Sequence, residues 1–531
     1  MPSEFFLNPL EMFVLALLGC MAGIRWWPLL GRISLQSTWL PVAAGIAIAS
    51  YVLIVIFYIS SPAVFDHGEI MVPAWSWMFA TGHPLYDKID DASRYSTIYG
   101  PDGTIFFAWA MQLLGPSMFS CKLAAGLAGM GSCLLAFAAY AKKFDIRRAL
   151  LGTGLVCLLY LAFAFQSFMT KGDPFLFFFA ALALWAVFAT GPITAGILLA
   201  LAMGVEVNLK LHAPLYILPV LVLYWRQHGL NRAVLACAGA GLVALLPFLH
   251  PQVSFFDWLD GVRLEGGVGL GLSETMANVQ WFGFLWLPFP TLFFICYQRN
   301  PAAFTNAFRK HRPFLITLFV AMLLTGFVGS KGASGPAHFA PFLPLLVYAF
   351  CLFLSRDIFS GKTEATFSGQ AAQACLAAFA AVAIFLAAHQ QYRFLTAMNT
   401  LNQNTEVVDA DVTAIIKAFP GKTICMGYGS NQTFFLSQQL LPLLFAGNPL
   451  YFEFSAMQAF HEKGLSSKGR EVISKKLADI WLIPHGDQPF TVRSFYQPYP
   501  PLFDDDFRAS FAANYKLVGS SHFFDIYQSK P

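Results

Sequence analysis

Two carboxylates, Asp66 and Glu69, stand in Phe65-Asp66-His67-Gly68-Glu69, where a long apolar stretch ends and a polar segment begins. A carboxylate at a membrane surface, heading a long polar loop, is placed to take a proton from a hydroxyl on a lipid-delivered substrate. A third acid, Asp173, lies in Thr170-Lys171-Gly172-Asp173-Pro174, just before a Phe-rich apolar run. Each has a plainer reading. Asp is favoured as a helix cap, Pro after Asp makes an ordinary helix start, and Glu69 is a second acid, a metal ligand or an interfacial charge. Residues 61–103 are aromatic-rich, with Trp75, Trp77, Tyr86 and Tyr99, and long loops of this kind are usually functional. Tyr99 and the two tryptophans offer flat faces to a sugar ring or belong to an interfacial belt.

The elements that must position these residues are membrane helices. The chain has 531 residues, 57% of them hydrophobic and 12% charged, against about 25% charged in soluble domains. Its net charge of +4 argues no case for nucleic acid. A span needs about 20 apolar residues. Twelve candidate spans follow, near 8–24, 39–60, 118–140, 149–165, 174–190, 193–205, 213–225, 233–249, 281–297, 313–328, 339–355 and 371–388. The stretch 104–114 reads as an interfacial helix. Span interiors look nearly free of charge, which argues against a transporter built around midplane ionisable groups.

The spans sort the short loops into two sets. One holds Arg25, Arg32, Lys142, Lys143, Arg147, Arg148, Arg226, Arg232, Arg299, Arg309, Lys310, Arg312, Arg356 and Lys362; the other holds Lys88, Arg94, Lys171, Lys210, Arg263 and Lys331. Basic bias places the first set in the cytoplasm, so the acids and the loop 250–280 face outward. That loop, with Asp257, Asp260, Glu265, Glu274 and Gly266-Gly267-Val268-Gly269, reads as a mobile lid or a solvated connector. From about residue 390 polar residues return, and strands are expected at Thr423–Met426 and Asp479–Ile483. A hairpin is expected at Lys516–Gly519 and Phe523–Tyr527, with helices at Ser467–Lys476 and Phe507–Tyr515. The expected fold is mainly α: a polytopic helical bundle of about twelve spans over 1–390, carrying the outer loop 61–103, and a small outer-face α/β domain over 391–531. Of the nine cysteines only Cys425 lies outside the apolar segments, so neither a disulfide nor a zinc site is expected.

An acid just after an early apolar helix, then Gly82-His83-Pro84-Leu85-Tyr86, then Tyr99-Gly100-Pro101, resembles the integral membrane glycosyltransferases of the GT-C superfamily. The resemblance extends loosely over the whole chain. It implies a sugar donor linked to polyprenyl phosphate, a glycan, lipid or protein acceptor, and transfer on the outer or lumenal side; low Lys and modest charge point to a bacterial inner membrane, which makes that side periplasmic. Asp66 then matches the general base, and one-step displacement inverts the sugar. Asp173 orients the acceptor or binds a cation, and a divalent cation is left open as cofactor. The leaving phosphate needs cations or strong donors. The outer candidates are Lys171; Lys210 and His212, between two short spans; Arg263, able to hold phosphate bidentately; and Lys331 and His338, which bracket Gly332-Ala333-Ser334-Gly335-Pro336. Snorkelling at helix ends is their plain alternative. The rival functions are a glycan polymerase or ligase using a diphosphate-linked donor, and a lipid or solute transporter.

Overall fold

The computed structural model describes residues 39–65, 68–88, 90–92, 99–265, 269–331, 334–354, 367–459, 464–495 and 499–531. Asp66 and the expected span 8–24 lie outside these described residues. In chain order the principal helices are α1 (Trp39–Ser60), α2 (Gly68–Ala80), α3 (Asp102–Leu114), α4 (Met118–Lys143), α5 (Ile146–Ala162), α6 (Asp173–Ala189), α7 (Pro192–Leu209), α8 (Pro214–His228) and α9 (Leu230–Leu245). They continue with α10 (Phe255–Glu265), α11 (Leu272–Trp286), α12 (Pro288–Arg299), α13 (Pro301–Val328), α14 (Leu343–Phe353), α15 (Phe367–Ala418), α16 (Ser467–Ser474) and α17 (Asp505–Asn514). A 3-10 segment, Pro336–Phe342, leads into α14.

Among the described residues, seven helical runs are long and apolar enough to cross a membrane: Trp39–Ser60, Met118–Lys143, Pro192–Leu209, Leu230–Leu249, Leu272–Gln298, Pro301–Val328 and Pro336–Phe353. Asp173–Ala189 is apolar but shorter. The chain is a polytopic helical membrane protein with a small C-terminal sheet. The expected spans from residue 39 onward fall on helices, and 104–114 falls on α3. The stretch 250–280 is largely helical, since α10 and the start of α11 occupy much of it.

The described chain packs as two compact units. The first draws on the described residues of 39–59, Ala125–Ala244 and Gly269–Thr396; the second on those of Ser60–Ala124, 245–265 and Ala397–Pro531. Within the first unit, several polar side chains on apolar helices find partners inside the protein, as a hydrocarbon surrounding favours. Tyr51 donates to Ser167 Oγ at 3.1 Å. Tyr58 and Thr170 share a hydrogen bond of 2.9 Å, and the Tyr140 hydroxyl donates to the Pro344 carbonyl at 2.6 Å. These bonds join α1, α4 and α14 to segments far away in sequence.

The second unit contains a four-stranded sheet. Strands β1 (Ile424–Met426), β2 (Ile480–Pro484), β3 (Tyr515–Ser520) and β4 (Phe524–Ser529) lie in the order β1-β2-β4-β3. β1 runs parallel to β2, and the other pairings are antiparallel. All five residues of β2 are buried, as expected of a central strand covered on both faces. Its Trp481 shares a core with Phe452, Phe490, Phe503, Phe507 and Phe511. Ring centroids of Phe490 lie 4.9, 5.1 and 5.0 Å from those of Phe503, Phe507 and Phe511.

Phe507 is 1% exposed. Phe507→Ala should therefore lower stability by about 3–5 kcal/mol. Leu517, exposed on β3, supplies the control: Leu517→Ala should stay within about 0.5 kcal/mol. Thermal unfolding of both variants in detergent checks the contrast.

Candidate active site

In the first unit, three segments bring an acid, a lysine and two histidines together. α6 begins at Asp173-Pro174 because Pro is tolerated in a helix's first turn and an acid there complements the helix dipole. α7 ends at Leu209, where the Lys210 N–H still bonds to the Glu206 carbonyl. Lys210 Nζ meets Asp173 Oδ1 at 2.6 Å, with the side chains 12% and 10% exposed. This is a charge-assisted bond shielded from water, where such bonds are strongest.

His212 lies in the short turn between α7 and α8. Its Nε2 is 3.1 Å from the Tyr216 hydroxyl and 3.2 Å from His338 Nδ1. The two imidazoles meet edge to face, with centroids 4.9 Å apart. Gly329 makes room for this pair: a Cβ there would sit 3.1 Å from His338 Cδ2. Burial, then the positive charge of Lys210, pushes the His212 imidazole down to about 4 against the opposing pull of Asp173. His212 is thus neutral at physiological pH and offers one donor and one acceptor. Lys331 follows the end of α13 and forms an isolated bridge with Leu270, while Gly271 N–H bonds to the Ser330 carbonyl at 2.8 Å. Lys171 is half-buried in the turn before α6.

In the second unit, the segment leading to Asp66 is clamped. Glu69, fully buried in the first turn of α2, accepts a hydrogen bond from the Phe65 N–H at 2.5 Å. Lys122 Nζ donates to the Ser61 carbonyl at 2.6 Å and to the Ala63 carbonyl, and it lies close enough to Glu69 to feel its charge. Asn402 Oδ1 accepts from the Ala63 N–H at 3.1 Å. The motif Gly82-His83-Pro84-Leu85-Tyr86 is a fastening in the same unit. Gly82 has φ +100°, a conformation that favours glycine. Leu85 N–H bonds to the Gln252 carbonyl at 2.8 Å, and Gln252 Nε2 donates to the His83 carbonyl at 2.9 Å. Leu85 and Tyr86 then bury against Val253 and Trp258. The Tyr86 hydroxyl, held above its usual range by burial and by the charge of Asp102, donates to the Tyr99 carbonyl at 2.9 Å.

The sequence-based candidates therefore divide. Asp173, Lys210, His212 and His338 come together. Arg263 is 68% exposed and pairs with Asp260 on its own helix at 3.1 Å. Tyr99 is 45% exposed. Trp75 is buried in α2, and Trp77 donates to the Leu444 carbonyl at 3.0 Å. Among the described residues no three His, Cys, Asp or Glu side chains gather as a metal-ligand set.

Two charged residues went unrecognised, and the expectation of nearly charge-free span interiors needs correcting for them. Lys122 is buried on α4, and Glu206 is buried on α7 with both carboxylate oxygens lacking a hydrogen-bond partner among the described residues. A single charge inside an apolar run was the available signal. Tyr216, which feels the charges of both Asp173 and Glu206, carried none.

No family model matches this sequence, and no curated protein matches it. Solved structures do. The crystal structure of ArnT from Cupriavidus metallidurans bound to undecaprenyl phosphate is 12% identical, covers 93% of this chain and 100% of that chain, and has a TM-score of 0.54. ArnT from the same organism in the apo state is 13% identical, with coverages of 92% and 98% and a TM-score of 0.51. The chain has the fold of these ArnT structures.

Two outcomes follow. Because His212 falls from 6.5 to about 4 on folding, the unfolded chain takes up its proton first as pH drops. Its contribution to stability is complete above about 6.5 and is lost between there and about 4. His212→Gln should flatten that acid limb in melting curves recorded across this range. Lys122→Met should leave Glu69 buried without its cation and cost about 3–5 kcal/mol, read as a lower melting temperature in detergent.

Proposed function

We propose that this chain transfers a sugar from a polyprenyl-phosphate donor to an acceptor hydroxyl on the periplasmic side, inverting the anomeric centre. The observation that carries this reading is fold likeness over 93% of the chain to an ArnT structure bound to undecaprenyl phosphate. The half-buried cluster of Lys210, His212 and His338 supports it, because its groups are donors suited to phosphate oxygens.

In this reading the acceptor oxygen attacks the anomeric carbon as the bond from that carbon to the phosphate oxygen breaks. The acceptor's proton passes to Asp66. The electron pair of the broken bond stays on the polyprenyl phosphate. Lys210 offsets the charge that develops there, and the neutral imidazoles donate N–H bonds to the same oxygens. Lys171 and Lys331 are further cations for the donor, and a divalent cation would act on the phosphate in the same sense. Asp173 fixes where the Lys210 ammonium points before the donor arrives, which is the preorganisation that electrostatic catalysis requires. Glu69 holds the Phe65 amide, the residue next to Asp66 in sequence, and so acts as a positioning residue for the base.

Purified protein with a polyprenyl-phosphate sugar and a hydroxyl acceptor, assayed by mass spectrometry, tests the proposal. Asp66→Asn should lower transfer at least about a hundredfold, the scale of losing a general base, while leaving donor binding intact. Lys210→Met should weaken donor binding. Normal transfer by Asp66→Asn removes the assignment of the base. A preference for diphosphate over monophosphate donors would favour the polymerase or ligase reading instead.

A further inference from the structure

The helix ends that carry most of the basic residues hold a group that the proposed reaction does not use. Lys143, the last residue of α4, places its Nζ 4.5 Å from the ring centroid of Phe188 near the end of α6. Lys310 on α13 is close enough to repel Lys143, and both act electrostatically on the His311 imidazole. Two ammonium groups and one imidazole are thus held together at one place.

Their floor is aromatic. Tyr348 on α14 has its ring centroid 5.7 Å from Phe144, 4.9 Å from Phe188 and 5.6 Å from Phe314. The adjoining surface is apolar as well: Ile146, two residues beyond Phe144, is 61% exposed. The acid nearest in sequence is already engaged, since Asp145 caps α5 by accepting from the Arg148 N–H at 2.9 Å and pairs with Arg148 Nε at 2.7 Å. Among the described residues neither Lys143 nor Lys310 has a carboxylate partner. Like charges gathered over a low-dielectric surface repel one another unless an anion joins them.

The same basic bias that orients the chain puts this group at the cytoplasmic surface, where anionic lipid headgroups supply the counter-charge. We propose that Lys143, Lys310 and His311 bind the phosphate of an acidic phospholipid from that leaflet, with its glycerol and first acyl carbons lying on Phe188 and Ile146. The ammonium groups meet phosphate oxygens as point charges, and the imidazole donates an N–H. The aromatic floor distinguishes a lipid from free phosphate, because it rewards only a ligand with an apolar part.

The test uses the full chain purified in detergent, with native mass spectrometry of bound phosphatidylglycerol, phosphatidylcholine as the neutral comparison and inorganic phosphate as competitor. Each lysine near an anionic surface contributes about 1 kcal/mol, so the double variant Lys143→Gln with Lys310→Gln should weaken phosphatidylglycerol binding by roughly thirtyfold. A matched variant, Lys142→Gln with Arg226→Gln, removes two charges from the same face and should bind like the parent. Three results would overturn the proposal: undiminished binding by the first variant, equal loss in the second, or displacement of the lipid by equimolar inorganic phosphate. Elution of the variants at the parent's volume in gel filtration confirms that folding is intact.

Discussion

Charge buried in an apolar helix needs a partner close at hand, and this requirement organises both units. In water a lysine or carboxylate is solvated from all sides. Inside a membrane protein the same groups must be satisfied by other parts of the chain or become very costly. Lys122 meets the requirement with two backbone carbonyls and the nearby charge of Glu69. Asp173 and Lys210 meet it with each other. Neither arrangement is a free addition of stability, since desolvation offsets much of the attraction. What such pairs supply is a fixed geometry: losing one member strands the other, so alternatives to the observed arrangement are expensive.

That fixing matters most where the chain has no regular structure of its own. Residues 61–65 carry no helix or strand, yet their backbone is bonded to Lys122, Asn402 and Glu69. These three anchors come from α4, α15 and α2, so a stretch without ladder hydrogen bonds is nonetheless held at several points. The Gly82–Tyr86 motif does similar work further along, through Gln252 and the small core of Leu85, Tyr86, Val253 and Trp258. A motif that resembles that of a family of enzymes thus carries packing in this structure.

How much of this was legible follows from where each signal sits. The helices could be read because twenty apolar residues in a row have few alternative explanations, and the sheet because its strands are short apolar runs between turn residues. Asp173 and Lys210 stood out as charges at the ends of apolar runs. Lys122 was visible as a charge inside an apolar run, but its partners lie 61 and 59 residues earlier in the chain and no local pattern links them. Gln252 bonding to His83, 169 residues away, was hidden for the same reason. The pairing of His212 with His338 depends on Gly329 leaving space for a ring 9 positions later, and spacing alone does not reveal where a backbone comes near another chain segment.

The cluster in the first unit has a further consequence for how it meets an anion. Asp173 and Lys210 together carry no net charge, and His212 is neutral because burial and Lys210 disfavour its proton. In the proposed reaction, phosphate approaching Lys210 competes with a carboxylate already 2.6 Å away, and that carboxylate repels it. A monoanionic ester gains little from such an exchange, whereas a group gathering negative charge as a bond breaks gains progressively more. The same ion pair that holds the ammonium in place thus weakens its grip on the ground state relative to the charge-rich transition state. In the proposed reaction, preorganisation and modest ground-state affinity then arise from one interaction, that of Asp173 with Lys210.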